Sequence, residues 1–119
     1  MTSFSFPKES RIRKRAEYLA CYEHGKKYHS AHYILFFVEK PGGIPRAGIA
    51  VSKKTGKAAA RNRVKRILRE FFRLNLHRLP GADIVVVAKK DVGRPRLEDA
   101  RTELGPILEH LRADYSRRS

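Results

Sequence analysis

The sequence predicts an α/β fold, an α+β sandwich in which helices cover a mixed central sheet, with the order α-β-β-β-α-β-α. Two observations predict it. Short runs rich in aliphatic and aromatic residues are typical of strands, and apolar residues at helical spacing recur between and after them. A chain of 119 residues is long enough for one compact domain and too short for two of ordinary size. We therefore expect residues 1–119 to form a single domain.

The first elements are an arm and a helix. Residues 1–11 are polar and basic and include Pro7, which predicts a flexible basic arm. The first helix is predicted over 13–24, and Gly25 is expected to end it in the left-handed conformation that glycine tolerates. The residues expected to form its core stripe are Ile12, Ala16, Leu19 and Ala20.

The next segments are predicted to be strands. A short strand is expected near 27–29, and the aromatic and aliphatic run at 33–39 predicts a longer one. After a loop rich in Pro and Gly, residues 46–52 alternate in character. We expect this strand to run antiparallel to the strand at 33–39.

A basic helix is predicted over 58–76, followed by a continuous apolar run at 84–88 that is typical of a strand buried on both faces. The strands before and after this helix should be parallel. A last helix follows Pro95, and the Gly105-Pro106 pair inside it predicts a kink or a break. Its expected apolar face is formed by Leu97, Ala100, Leu104, Ile107, Leu108, Leu111 and Tyr115, and residues 116–119 are expected to be a tail.

The charge is extreme and unevenly placed. The formal net charge is +15, and residues 1–90 carry all of the excess, with 21 Lys or Arg against 6 Asp or Glu. A one-sided positive field attracts polyanions and is typical of nucleic-acid binding.

The stretch 53–73 has nine Lys or Arg and a single acid, Glu70. At 100° per residue one face of the helix is apolar, and Asn62, Arg66, Arg69 and Arg73 lie opposite, flanked by Arg61 and Lys65. Many basic helix faces are only solvated, but such faces usually carry acids at i,i+4 spacing, and here they are almost missing. The helix is therefore predicted to bind nucleic acid.

Other classes of protein are not favoured. The sequence has no apolar run long enough to span a membrane, no secretory signal, and one cysteine, Cys21, so a cytoplasmic protein without a disulfide is expected. The five histidines are scattered without metal-ligand spacing, and no carboxylate cluster is visible. We expect no catalytic residue, no metal ligand and no cofactor in the protein itself.

The chain resembles the protein component of bacterial ribonuclease P. The matching residues are Gly48 to Ala58 and, above all, the Arg-Asn-Arg core at 61–63 with its continuation to Arg73. Supporting matches are residues 18–25 and 83–89, and the resemblance covers about residues 11–112.

The resemblance implies a small cofactor protein for a large catalytic RNA, which together remove the 5′ leader of precursor tRNA by phosphodiester hydrolysis. The RNA subunit would hold the Mg²⁺ ions, and the partners would be ribonuclease P RNA and precursor tRNA, with no membrane and no protein partner needed. It also implies a left-handed crossover around the basic helix, although about 98 % of such connections are right-handed.

The resemblance also assigns site residues. Tyr18, Tyr22 and Phe36 fall on the aromatic positions of a leader cleft, and single strands are indeed bound by stacking on aromatic rings. The RNA-binding candidates are Lys53, Lys54, Lys57, Arg61, Asn62, Arg63, Lys65, Arg66, Arg69 and Arg73. Two alternatives stay open: the aromatics complete the core, or the chain is a ribosomal or architectural RNA-binding protein without a processing role.

Overall fold

The computed structural model describes residues 6–89 and 96–118, with side chains through Asp114. The helices are α1 (Arg15–His24), α2 (Ala58–Asn75) and α3 (Leu97–Arg118), and the strands are β1 (Lys26–His29), β2 (Tyr33–Glu39), β3 (Arg46–Ala50) and β4 (Ala82–Ala88). The predicted class and the order α-β-β-β-α-β-α are confirmed. Tyr115, which was expected to contact the core, lies beyond the last described side chain. Residues 1–5 and Ser119 lie outside the described residues.

The four strands form one mixed sheet in the order β1-β2-β4-β3. The pairs β1–β2 and β2–β4 are antiparallel, whereas β3 and β4 are parallel, as expected for strands that flank the basic helix. β3 runs antiparallel to β2, but β4 lies between them. The left-handed sense of the β3–α2–β4 crossover stays a prediction of the resemblance.

The main core lies between one face of the sheet and the helices α2 and α3. It contains Tyr33, Leu35 and Phe37 of β2, Val64, Leu68, Phe71 and Phe72 of α2, and Leu104, Leu108 and Leu111 of α3. All residues of β4 except Val87 are buried, which confirms that this strand is covered on both faces. The apolar stripe of α2 is therefore used in the core, and its basic side faces outward.

The predicted core stripe of the first helix is wrong. Ile12 is buried, but Ala16 and Ala20 are exposed, and Leu19 is 44 % exposed. The buried residue of α1 is Cys21, which packs with Ile12 and Val85 on the opposite face of the sheet. The reason is that α1 contacts the sheet only through its residues 18, 21 and 22, so its other apolar residues stay in solvent.

The expected end of the first helix is corrected, and of the kink or break expected in the last helix only the break is excluded. Gly25 ends α1 in an extended conformation (φ −77°, ψ 151°), not a left-handed one. Glycine is needed there for space, because a Cβ atom would lie 2.4 Å from the Cys21 carbonyl oxygen. Pro106 lies inside a continuous α3, so the helix is not broken. The buried Leu104 and Leu108 on either side hold it against the core.

Residues 6–11, expected to belong to a flexible arm, lie against the protein. The ring of Phe6 is 6.1 Å from that of Phe72. The backbone N–H of Ile12 donates to the carbonyl of Ala47 at 2.9 Å, next to a parallel bridge between Arg11 and Ala47. This segment therefore lines the outer edge of β3.

Candidate nucleic-acid interface

The outward side of α2 is a surface of unneutralised positive charge. Asn62, Arg63, Arg66 and Arg69 are exposed and, with Ala59, border an open concavity. Within residues 6–89 and 96–118, no Asp or Glu forms an ion pair with these three arginines. The free guanidinium groups can donate in pairs to phosphate oxygens.

Three lysines extend this surface at the start of α2. Lys53 and Lys54 lie in a short 3₁₀ turn over Lys53–Thr55, and Lys57 precedes the helix; all three are exposed. Between them Gly56 has φ 145°, a conformation that other residues rarely adopt. The turn thus brings the lysines that follow β3 to the N-terminus of α2.

Not all ten candidates are equally available. Arg73 is half-buried and pairs with Glu70, to which its Nε donates at 2.9 Å. Arg61 and Lys65 are half-buried flanks of the exposed side, and the Nε of Arg61 is buried without a hydrogen-bond partner in the structure. The exposed side is therefore shorter than predicted and ends near Arg69.

The aromatic candidates come together on the other face of the sheet. The rings of Tyr22 and Phe36 are 5.0 Å apart in an edge-to-face arrangement, and the Lys27 ammonium lies 5.7 Å from the centre of the Phe36 ring. Tyr22 is 38 % exposed, so it is not a core residue. The structure therefore presents an aromatic surface with a cation beside it.

The register of the sheet explains this arrangement. Lys27 pairs with Phe36, Phe36 with Val85 and Val85 with Gly48, so these residues form one row across the four strands. α1 lies along part of this row, with Tyr18 against Gly48 at one end and Tyr22 against Phe36. We call the surface of Tyr18, Tyr22, Phe36 and Lys27 the aromatic platform.

Tyr18 is held more rigidly than Tyr22. Its hydroxyl donates to the Ile12 carbonyl at 3.2 Å. Burial raises the pKa of Tyr18 above its ordinary value, so the phenol stays protonated and keeps this bond. Its ring is therefore fixed at the β3 edge of the platform.

An ion cluster that the sequence did not reveal fixes α1 to the sheet. Arg46 of β3 donates to both oxygens of the buried Asp83, at 2.9 and 2.8 Å, and to Glu17 of α1 at 2.6 Å. The hydrogen bond from Arg46 lowers the pKa of Glu17. Because Glu17 adjoins Tyr18, this cluster helps to set the position of the platform.

At least two of the five histidines contact side chains of other elements. His32 Nδ1 lies 2.6 Å from Glu103 Oε2, and the ring of His110 lies edge-on to Tyr28. In the described part of the chain no group of three or more His, Cys, Asp or Glu side chains could hold a metal ion. Among the described residues, no helix combines the length and the apolar character needed to cross a membrane.

Comparison with known proteins decides the family. The sequence profile of the Ribonuclease P family matches residues 6–112. This chain belongs to the ribonuclease P protein family. The "Ribonuclease P protein component" of Desulfovibrio desulfuricans is 49 % identical over 93 % of this chain and 89 % of its own length. That of Geobacter sp. strain M21 is 40 % identical over 98 % of this chain and 100 % of its own length.

Solved structures of ribonuclease P proteins have the same fold. The protein from Thermotoga maritima superimposes with a TM-score of 0.74 at 33 % identity, over 84 % of this chain and 96 % of that one. The Staphylococcus aureus protein gives a TM-score of 0.75 at 28 % identity, over 86 % of this chain and 94 % of that one. The fold and the family predicted from the sequence are thus confirmed.

Proposed function

We propose that this chain is the protein subunit of ribonuclease P, which assists a catalytic RNA in removing the 5′ leader of precursor tRNA. The observation that carries the residue-level proposal is the pair of surfaces on opposite faces of one sheet. One is the cationic side of α2, and the other is the aromatic platform beside α1. A protein that binds two different RNA elements at once needs two such surfaces.

The cationic side of α2 binds the RNA subunit in this proposal. Arg63 and Arg66 are exposed and without acidic partners among the described residues, so phosphate groups can replace water without breaking an existing ion pair. The packed apolar side of the helix keeps these groups on a rigid element. Lys53, Lys54 and Lys57 extend the contact at the N-terminal end.

The aromatic platform binds the leader. Stacking on a protein ring requires a base that is not already stacked in a duplex, so the platform suits single-stranded RNA. Tyr22 offers its exposed ring, and Lys27 lies where it can meet the backbone of the strand. A protein that only clamps duplex RNA has no use for this surface, which is why we prefer the processing role to an architectural one.

The chemistry of hydrolysis belongs to the RNA subunit and its Mg²⁺ ions. Among the described residues no cluster of three metal-ligating side chains is present, so we assign no metal-dependent step to the protein. The complex needs no further protein partner in this proposal, and it acts in the cytoplasm, where precursor tRNA is made.

Reconstitution tests the function. The purified protein is added to a bacterial ribonuclease P RNA, and leader removal is measured at low Mg²⁺, with the protein alone and the RNA alone as controls. We expect cleavage only in the complex. Failure to stimulate the RNA would contradict the processing role, and cleavage by RNA-free protein would contradict the assignment of the chemistry.

A further inference from the structure

The outer edge of β3 carries a second concave site, which we call the edge hollow. It measures about 260 Å³ and lies between the N-terminal segment, β3 and α2. Its cations are Arg11 and Arg13 from the segment and Lys65 and Arg69 from α2, and its floor includes Tyr18 and Gly48. Neither Arg11 nor Arg13 was among the residues predicted from the sequence to bind RNA.

The charges of the edge hollow have no acidic partner in the described residues. Elsewhere the fold does neutralise arginines where an acid is near, as in the pair of Arg73 and Glu70. Glu17, the acid of α1 next to Tyr18, is already bound by Arg46. Four like charges from two chain segments repel one another, and an anion in the hollow relieves that repulsion.

The positions of the cations are partly fixed before any ligand binds. Arg11 donates from Nε to the Phe6 carbonyl at 2.9 Å, and its guanidinium lies 5.0 Å from the centre of the Phe6 ring. Lys65 and Arg69 are one turn apart on α2, so their side chains share one face of the helix. A preorganised set of donors binds an anion with less loss of side-chain entropy.

The edge hollow and the aromatic platform share one residue, Tyr18. The ring of Tyr18 lines the hollow, and the same residue closes the platform at the β3 edge. A strand with a base on Tyr22 and Phe36 that continues past Tyr18 brings its backbone to the four cations. The volume is below the roughly 300 Å³ of the smallest drug-sized pockets, which suits a phosphate group with part of its sugar.

We propose that the edge hollow binds a phosphodiester group of the single-stranded leader next to the base stacked on the platform. This inference rests on the proposed function and adds Arg11 and Arg13 to the leader path. It makes the outer edge of β3, with its flanking N-terminal segment, the passage between the two RNA-binding faces.

The first test uses the holoenzyme and a variant with Arg13→Gln and Lys65→Gln. A second variant, Arg96→Gln with Arg101→Gln, removes the same charge at exposed positions outside the hollow and serves as the control. Affinity for precursor tRNA is measured against salt concentration. We expect the hollow variant to bind at least roughly fivefold more weakly, and its salt slope to fall by about 0.7 for one single-strand phosphate.

The outcomes separate this inference from the proposed function. If the hollow variant matches the control variant in affinity and slope while Tyr22→Ala weakens binding, the edge hollow is not a subsite and the function stands. If wild-type holoenzyme does not distinguish precursor from mature tRNA, the function itself fails. Arg13→Gln alone, at an exposed position, keeps the test valid if the double variant does not fold.

The second test identifies the ligand. Amide NMR shifts of the full chain are followed with a single-stranded RNA pentamer and, separately, with inorganic phosphate. We expect the pentamer to shift Arg13, Gly48 and Ile49 at concentrations where phosphate does not. Equal shifts with phosphate at equal phosphate concentration would overturn the strand assignment, and shifts confined to residues 53–63, which lie outside the edge hollow, would overturn the site.

Discussion

The ring of Tyr18 lies directly on the backbone of Gly48. A Cβ atom at position 48 would come within 2.8 Å of both Cζ and Oη of Tyr18, which is closer than carbon and oxygen atoms can approach without movement. Glycine is therefore the residue that lets the aromatic ring rest against the sheet.

Gly48→Ala is expected to displace Tyr18 and to break the hydrogen bond from its hydroxyl to the Ile12 carbonyl. Overpacking of this kind costs about 1 to 3 kcal/mol of unfolding free energy, and binding of precursor tRNA should weaken as well. Urea unfolding and tRNA binding measure the two effects. Gly105→Ala is the control, because no atom lies within 4 Å of its added Cβ; equal effects of both substitutions would contradict the packing argument.

Tyr22→Ala should weaken binding of precursor tRNA and leave mature tRNA binding unchanged. A base stacked on an aromatic side chain contributes about 1 to 3 kcal/mol, and mature tRNA has no leader to stack. Leu19→Ala removes another exposed apolar side chain from α1 and should have no such effect. Equal weakening for precursor and mature tRNA, or unfolding of the Tyr22 variant, would show that this ring does not stack on the leader.

Arg63→Ala combined with Arg66→Ala should weaken assembly with the RNA subunit. Removal of one phosphate interaction should reduce the slope of log affinity against log salt by about 0.9 on a duplex. Both residues lie outside the edge hollow, so leader binding by any complex that does form should persist. A filter-binding titration at several salt concentrations gives the affinity for the RNA subunit and its salt slope. An unchanged slope would mean that this side of α2 is only solvated.

The contact between α3 and the turn before β2 should respond to acid. The Glu103 carboxylate accepts hydrogen bonds from Ser30 Oγ and from the His32 backbone N–H, both at 2.7 Å. Its other oxygen lies 2.6 Å from His32 Nδ1. Burial acts to raise the pKa of Glu103, but these hydrogen bonds outweigh it and hold the pKa below the ordinary value of 4.5. The carboxylate thus stabilises the fold fully above about pH 4.5, and this stabilisation disappears as the pH falls through the lowered pKa.

Glu103→Gln should accordingly be less stable than wild type near pH 7. The difference in unfolding free energy should shrink as the pH falls below the ordinary glutamate pKa. Thermal unfolding of both proteins over about pH 3 to 7 provides the comparison, and a difference that stays constant with pH would mean that the charge of Glu103 is not involved.

The elements that the sequence predicts well are those with a strong local pattern. The predicted strand at 33–39 coincides with β2, and α2 ends one residue before the predicted limit, because aromatic strands and amphipathic helices carry their own signal. The predicted apolar stripe of α1 is wrong because Cys21 is the residue that packs against the sheet. Its neighbours on the helix are also apolar, so the sequence does not single it out. A short helix on an open sheet face does not bury a full stripe.

The sequence predicts which residue types form the candidate site. It does not predict which side chains contact or form ion pairs with one another across the fold. Convergence of Tyr22 and Phe36 needs the strand register, and the bonds of Arg46 to Glu17 and Asp83 join residues 29 and 37 positions apart. No local pattern reveals such long-range pairs. By contrast, the pairing of Arg73 with Glu70 follows helical i,i+3 spacing and was available from the sequence.

The position of β4 between β2 and β3 imposes an order on folding during synthesis. The sheet cannot join its first strands to β3 until the chain has been made through Ala88, 38 residues after β3 ends at Ala50. At 5 to 20 residues per second this is a wait of roughly 2 to 8 seconds. Until then β1 and β2 can pair only with each other, and the apolar stripe of α2 has no complete sheet to cover it. Released chains that end before residue 82 should therefore be far more sensitive to protease than released chains that extend past residue 111, where Leu104, Leu108 and Leu111 complete the core.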